Sequence, residues 1–282
     1  MANGAHDLEI LTPSRKSGET ARIATQATVI ALHGNGGGGY RFHRVEPYVR
    51  QGLALQAVTL PGFGFEARDP EIRGLRGYAD WLAREVVSVA PRPVYLLGHG
   101  IGGSLACEFV QHYAKLIDGV ILHAPVGAAL DKRWFPRLMK LPGMRRLAQE
   151  MLGNPLFTPL WSRLLFRQRL PKNVLRRFFA EYRACQVFGD LFDWIDAPWF
   201  ESLLPTPLPA VILWGERERV LRSGQAAAFD RIFPVYERTL VPDWDHFPML
   251  ETPEEYARQV ERAVDHLQQL SSFDTSGSKQ VR

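Results

Sequence analysis

The stretch LGHGIGGS at residues 97–104 separates two segments of different pattern. The segment before it, PVYLLG at 93–98, is apolar along its length, which is typical of a strand buried on both faces. The segment after it, IGGSLACEFVQHYA from residue 101, has a pattern that predicts a helix. Glycines at 98 and 102 flank position 100, as they do where a strand turns so sharply into a helix that larger side chains would collide. The sequence therefore predicts a tight strand–turn–helix corner centred on Gly100.

Apolar runs recur on both sides of this corner and alternate with amphipathic stretches. One such stretch has Tyr78, Leu82, Val86 and Val89 at helical spacing. This alternation predicts an α/β fold, a doubly wound and mostly parallel sheet with helices on both faces. Besides 93–98, the predicted strands are TVIALH (28–33), LALQAVTL (53–60), GVILHAP (119–125), LPAVILWG (208–215) and VYERTLV (235–241).

The alternation stops between residues 127 and 200. This segment holds 13 of the 31 aromatic residues, and its 13 Lys/Arg against 6 Asp/Glu give it a local charge of +7. We expect a helical cap whose apolar inner face covers a pocket; the alternative is a helical subdomain with its own small core. The predicted organisation is a core formed by 1–126 and 201–270, a cap at 127–200 and a flexible tail at 271–282.

Composition excludes several classes of protein. Of 282 residues, 46% are hydrophobic and 23% charged, which is ordinary for a globular chain and argues against disorder. The net charge of +4 comes without a Lys/Arg run, so no nucleic-acid partner is predicted. The two cysteines, Cys107 and Cys185, lie too far apart to suggest a disulfide framework or a metal site. With no signal-peptide pattern and no long apolar stretch, we expect a soluble, cytoplasmic protein without a transmembrane segment, metal or cofactor.

Two further motifs follow predicted strands. HGNGGGG at 33–39 places a glycine run after the first strand, where backbone N–H groups can point at a ligand. No Gly-Lys-Ser/Thr follows, so this is not a phosphate-binding P-loop. DWDHFPML at 243–250 follows the last strand, and WGERERV at 214–220 ends the strand before it.

Together these motifs resemble the α/β-hydrolase superfamily, in particular its esterases, lipases and epoxide hydrolases with a helical lid. The resemblance covers about 26–125 and 205–268. It implies a cap inserted after the sixth strand of the family's sheet. The matching motifs, in family order, are His33-Gly34, LPGFG at 60–64, the corner at 98–102, WGxxE at 214–218 and HFP at 246–248.

The resemblance also assigns roles to individual residues. The family's nucleophile, acid and histidine map to Gly100, Glu218 and His246, and Glu is a permitted acid. The backbone N–H groups of Asn35 and Ile101 match the oxyanion hole. The predicted substrate pocket comprises His33, His99, Trp194, Trp199 and Phe247.

Glycine at the nucleophile position decides the functional interpretation. Gly100 cannot form a covalent intermediate. Ser104 is not expected to replace it, because it lies one helical turn further on.

Three interpretations stay open. His246 and Glu218 drive non-covalent chemistry, as in a lyase, a decarboxylase or a water-activating enzyme. Alternatively, the chain is a non-catalytic ligand-binding protein, or a carboxylic-ester hydrolase inactivated by a Ser-to-Gly change. The expected ligand is a small apolar carbonyl or ester compound, and the basic cap would suit an anionic group on it. The sequence does not specify the oligomeric state.

Overall fold

The computed structural model describes residues 27–233 and 236–277. Its sheet is entirely parallel, with six strands in the order β2-β1-β3-β4-β5-β6. The predicted α/β fold with a doubly wound parallel sheet is confirmed. The strands are β1 (Ala27–Leu32), β2 (Leu53–Val58), β3 (Val94–His99), β4 (Gly119–His123), β5 (Ala210–Gly215) and β6 (Tyr236–Val241).

Burial follows the position of each strand in the sheet. The four central strands β1, β3, β4 and β5 are buried at every residue, as the continuous apolar runs predicted. The edge strand β2 is partly exposed along its middle. Leu32 pairs in register with Gly98, and His99 with His123, so the segments following β1, β3 and β4 meet at the carboxyl edge of the sheet. Ligands of open α/β sheets bind at this edge.

Helices fill the connections between strands. In α1, Tyr78 and Leu82 lie on the buried face, as their spacing predicted. The helix ends at Glu85, so the predicted continuation through Val86 and Val89 is wrong, and Val89 exposes 74% of its surface. The helices are α1 (Gly74–Glu85), α2 (Ile101–Tyr113), α3 (Trp134–Leu138), α4 (Met144–Gly153), α5 (Thr158–Leu165), α6 (Lys172–Ala184), α7 (Leu191–Trp194), α8 (Ala197–Ser202), α9 (Pro248–Glu251) and α10 (Pro253–Gly277). No described helix is both long enough and apolar enough to cross a bilayer.

Helices α3 to α8 occupy the chain between β4 and β5, where the strand alternation was predicted to stop. Four described strands precede them, whereas the resemblance counts six; residues 1–26 lie outside the described residues. The division into core and cap stays a prediction, and we use "cap" below for these six helices.

The end of the chain differs from the predicted tail at 271–282. Helix α10 begins at Pro253, and Glu254 and Glu255 lie in its first turn. Their negative charges stabilise the helix by interacting with the positive end of its dipole. It continues to Gly277, so the segment predicted as a tail is helical as far as that residue. Residues 278–282 lie outside the described residues.

Candidate active site

The corner between β3 and α2 has the predicted tight geometry. Gly100 adopts φ +57° and ψ −115°. A β-carbon on Gly98 would lie 2.5 Å from the carbonyl oxygen of Gly102, and one on Gly102 would lie 2.4 Å from that of Leu32. Both distances are far below van der Waals contact, so the two flanking positions require glycine.

Position 100 itself has room for a side chain. A β-carbon there would approach the Cα atom of Gly34 at 3.6 Å, which is ordinary contact. The Gly100 N–H donates to the carbonyl oxygen of His123 at 3.1 Å, and the Val126 N–H donates to the Gly100 carbonyl at 3.0 Å. The corner therefore keeps its backbone geometry although it lacks a nucleophilic side chain.

His246 and Glu218 form a buried pair beside this corner. His246 Nδ1 lies 2.9 Å from Glu218 Oε2, and the carboxylate side chain is fully buried. Its other oxygen, Oε1, accepts hydrogen bonds from the backbone N–H groups of Val220 at 2.7 Å and Leu221 at 2.9 Å.

This environment fixes the protonation state of Glu218 and the hydrogen bond that the His246 ring makes. Burial opposes ionisation of Glu218, but the His246 side chain and the two backbone N–H groups outweigh it, so the pKa of Glu218 lies below its usual value. An ionised Glu218 can only accept a hydrogen bond, so His246 Nδ1 carries the proton. In the neutral imidazole, Nε2 then has the lone pair that a general base requires.

Two predicted oxyanion-hole residues lie next to the corner. Ile101 begins α2, so its backbone N–H has no partner within the helix, and the positive end of the helix dipole lies there. Asn35, half-buried, is anchored by its side-chain Nδ2–H, which donates to the Phe188 carbonyl at 3.5 Å. Both residues line the cavity that Gly100 and His246 also line.

This cavity lies between the corner and the cap and has a volume of about 900 Å³. On the core side it is lined by Gly34, Gly100 and His246, among others. Its cap side is mainly apolar, although it includes Arg137 and Lys140, and comes from all six cap helices, α3 to α8, and the segments beside them. The cap residues include Trp134, Phe135, Met139, Met144, Leu147, Met151, Leu152, Trp161 and Leu165.

Of the five predicted pocket residues, His99 and Phe247 line the cavity. The other three lie elsewhere, which corrects the prediction for them. His33 is fully buried; its Nε2 accepts from the Leu60 N–H at 3.2 Å, so its Nδ1–H donates to the Gly34 carbonyl at 2.9 Å. His33 therefore holds two loops together.

The two tryptophans of the prediction pack away from the cavity. The Trp194 ring lies 5.8 Å from that of Tyr78 in α1. The Trp199 Nε1–H donates to Glu108 Oε2 of α2 at 2.8 Å. Both therefore join the cap to the core. Trp161 of α5, which the sequence did not predict, lines the cavity; its sequence signal is a short helix with a broad apolar face.

Three histidine rings are packed together at this edge of the sheet. The His99 ring lies 4.6 Å from that of His246 and 4.8 Å from that of His123. Burial lowers the pKa of His123 to about 3, and burial with the neighbouring His246 holds the pKa of His99 well below its usual value. His99 and His123 are therefore neutral near pH 7 and leave His246, the ring paired with Glu218, as the candidate base.

Other nucleophiles and metal sites do not complete the site. The Ser104 hydroxyl is fully buried and donates to the Val126 carbonyl at 2.7 Å, so it does not replace a side chain at position 100. Burial raises the pKa of the Cys107 thiol. Within the described ranges, no group of three or more His, Cys, Asp or Glu residues is placed to hold a metal ion.

Comparison with known proteins identifies the family of the chain. The model of the alpha/beta hydrolase family matches residues 29–259. The chain belongs to this family. It is 27% identical to an uncharacterized protein of Mycobacterium tuberculosis over 266 residues, covering 86% of this chain and 77% of the relative. It is 23% identical to the pimeloyl-[acyl-carrier protein] methyl ester esterase of Aeromonas hydrophila over 255 residues, covering 86% and 97% of the two chains.

Solved structures share the fold. One is a serine-to-glycine mutant of the N-acyl homoserine lactonase AidH, complexed with N-hexanoyl homoserine lactone. It matches this family member with a TM-score of 0.66 and 16% identity, over 88% of this chain and 93% of that one.

Proposed function

We propose that this chain binds a small apolar carboxylic ester or related carbonyl compound in the cavity, and that His246 activates a water molecule to attack it. One observation carries the proposal. The buried His246–Glu218 pair, 2.9 Å apart, lines the apolar cavity at a corner where glycine leaves the nucleophile position open. A general base, backbone donors and an apolar site suffice for non-covalent hydrolysis.

The proposed reaction needs no covalent intermediate. His246 Nε2 takes a proton from water while the water oxygen bonds to the carbonyl carbon, and the carbonyl π electrons move to its oxygen. The N–H groups of Ile101 and Asn35 hold this oxyanion. The intermediate then expels the alkoxide, which takes the proton from His246, giving an acid and an alcohol. Glu218 keeps the ring oriented and stabilises its positive charge.

Glycine at position 100 limits the rate. Losing the nucleophile of a catalytic triad costs about 10⁶-fold in kcat, and about 10³–10⁴-fold acceleration over water remains from binding and the oxyanion hole. We therefore propose a slow hydrolase. The Aeromonas relative is an esterase for a methyl ester, which supports an ester substrate.

A second candidate function is ligand binding without turnover, which the absent nucleophile and the apolar cavity favour. The AidH mutant holds a lactone with glycine in place of serine, which supports binding without a nucleophile. Proton abstraction by His246, as in a lyase or decarboxylase, uses the same base on a different ligand. Turnover that depends on the His246 ring would therefore indicate catalysis, and turnover that does not would indicate binding alone.

The decisive experiment compares the wild type with His246→Gln on p-nitrophenyl butyrate. We expect slow hydrolysis by the wild type that His246→Gln reduces by about 100-fold, the contribution of a general base, while ligand affinity is kept. The control is His43→Gln, because His43 is mostly exposed and paired with Glu46 on the surface. Equal rates in wild type and His246→Gln would support binding without turnover.

Gly100→Ser tests the descent from serine esterases. A β-carbon fits at position 100, so the serine is expected to become reactive toward a fluorophosphonate probe and to speed ester hydrolysis. Gly100→Ala adds the same β-carbon without the hydroxyl and should stay unlabelled. A folded Gly100→Ser variant that is not labelled would contradict the proposed arrangement of nucleophile position and base.

A further inference from the structure

Helix α5 has one broad apolar face, which runs from Leu160 and Leu164 to Trp161 and Leu165 over about 140° of the helix. Trp161 and Leu165 line the cavity. Leu160 and Leu164 each expose 51% of their surface. A surface helix normally buries its apolar face and turns its polar residues to the solvent. The part of this face that bears Leu160 and Leu164, its outer side, is instead exposed to solvent.

The outer apolar side continues into the turn before α5. Leu156 exposes 83% of its surface, and Phe157 exposes 37%. Leu156, Leu160 and Leu164 are spaced four residues apart, which places Leu160 and Leu164 on one side of the helix with Leu156 at its entry.

A second set of exposed apolar residues surrounds the cavity. Trp134 exposes 73% of its surface, Phe135 40% and Leu147 47%, and all three also line the cavity. Leu147 belongs to α4, which packs against α5. The cavity therefore opens among exposed apolar side chains. We call Trp134, Phe135, Leu147 and the three leucines at 156, 160 and 164 the cap face.

The charge around the cap face is strongly positive. Residues 132–169 contain nine Lys/Arg and one acid, Glu150, which pairs with Arg146. Arg137, Lys140 and Arg163 are exposed and form no ion pair with any described residue. Exposed leucines and a tryptophan among cations are typical of surfaces that insert shallowly into a bilayer carrying anionic lipids.

We infer that the cap face binds the surface of an anionic lipid bilayer. The leucines and Trp134 enter the boundary between headgroups and acyl chains, while Arg137, Lys140 and Arg163 lie against the anionic headgroups. The mouth of the cavity then opens to the lipid, so an apolar ligand passes between bilayer and cavity without crossing water. This inference does not depend on turnover at His246.

The test is flotation of the full chain with vesicles of phosphatidylcholine alone or with about one-third phosphatidylserine, at about 0.1 M salt. We expect binding to the anionic vesicles, weaker binding to the neutral ones, and release when the salt is raised. The pair Lys140→Glu and Arg163→Glu together should weaken binding by about 25-fold, at about fivefold per cation. The matched control, Lys115→Glu with Arg73→Glu, changes exposed cations outside the cap and should bind like the wild type.

The apolar contribution is tested separately. Leu156→Ser, Leu160→Ser and Leu164→Ser together should weaken vesicle binding by about fivefold per leucine, whereas Leu204→Ser, 67% exposed outside the cap face, should not. Circular dichroism and unfolding curves establish that each variant is folded. No vesicle binding by the wild type would overturn the inference. So would concentration-dependent dimerisation that the leucine variants abolish in the absence of lipid, because a second copy would then cover the face.

Discussion

Arg41, on the loop after β1, forms an ion pair with Glu181 of α6 in which neither side chain exposes more than 2% of its surface. The Nε–Oε2 distance is 3.2 Å, and the guanidinium carbon lies 3.7 Å from the centre of the Phe178 ring. A β-carbon on Gly37 would lie 2.9 Å from this guanidinium, which is too close. Glycine at position 37 is therefore needed for the Arg41 side chain to fit. The loop that bears Asn35 is thereby joined to the cap through a buried charge pair.

Removing one charge of this pair should destabilise the protein. Glu181→Gln leaves Arg41 buried without a carboxylate, and breaking a buried pair in this way costs about 3–5 kcal/mol in the free energy of unfolding. The control is Glu150→Gln in α4, whose pair with Arg146 is largely exposed and should contribute less than about 1 kcal/mol. Urea unfolding measures both. Similar costs for the two variants would contradict the structural role of the buried pair.

This pair shows what the sequence could not reveal. Arg41 and Glu181 are 140 positions apart, and no local pattern connects them. The buried strands and the glycine corner were predictable, because continuous apolar runs and sharp turns impose local constraints on residue type. The pairing of His246 with Glu218 was predicted only through the resemblance to the family. Membership of the family then followed from their order along the chain.

The lining of the cavity was less predictable, since it depends on how short cap helices pack. Trp194 and Trp199 were predicted as pocket residues from the aromatic composition of the cap, yet composition does not say which side of a helix faces inward. Trp194 packs on Tyr78 of α1, and Trp199 bonds to Glu108 of α2.

The glycines of the corner should differ in their tolerance of alanine. Gly100→Ala gains a β-carbon in ordinary contact with the Cα atom of Gly34 but at a positive φ, a strain of about 1–3 kcal/mol. Gly102→Ala would place a β-carbon 2.4 Å from the Leu32 carbonyl oxygen, so the strand and helix must separate. We expect Gly100→Ala to fold with a modest loss of stability and Gly102→Ala to fail to accumulate as folded protein. Thermal unfolding and soluble yield measure the two; equal behaviour would contradict the assigned corner.

Buried histidines should make the fold sensitive to acid. Burial lowers the pKa of His33 to about 4 and that of His123 to about 3. In the unfolded chain both titrate near the usual value of about 6.5. As pH falls below about 6.5, the histidines of the unfolded chain bind protons, whereas the buried rings of the native state stay neutral. The free energy of unfolding therefore falls until the pH reaches the pKa of the native rings.

The size of this effect is measurable by urea unfolding between neutral pH and about pH 4. A depression of the His33 pKa from 6.5 to about 4 corresponds to a loss of about 3 kcal/mol. His123→Gln removes one of these groups, so the free energy of unfolding should depend less steeply on pH. His43→Gln removes a mostly exposed histidine and should leave it unchanged. A wild-type stability that is constant over this range would show that the rings are not buried as described.

Trp161 should control which ligands the cavity accepts. Its ring lines the cavity, and its Nε1–H donates to the Met151 carbonyl at 2.9 Å, which fixes its orientation. Trp161→Ala enlarges the cavity beneath α5, so esters with longer acyl chains should gain affinity relative to short ones by about tenfold, the effect of one or two methylene groups. Trp199→Ala provides the matched comparison, because it truncates a cap tryptophan that bonds to Glu108 away from the cavity.

The two tryptophan variants should separate selectivity from stability. Competition by p-nitrophenyl esters of increasing chain length gives the affinity profile, and urea unfolding gives the stability of each variant. Trp199→Ala should lower stability by about 2 kcal/mol through lost packing and a lost hydrogen bond, with the profile unchanged. A profile that shifts with Trp199→Ala and not with Trp161→Ala would mean that the ligand lies outside the cavity of about 900 Å³, against the contacts between the cap and α2.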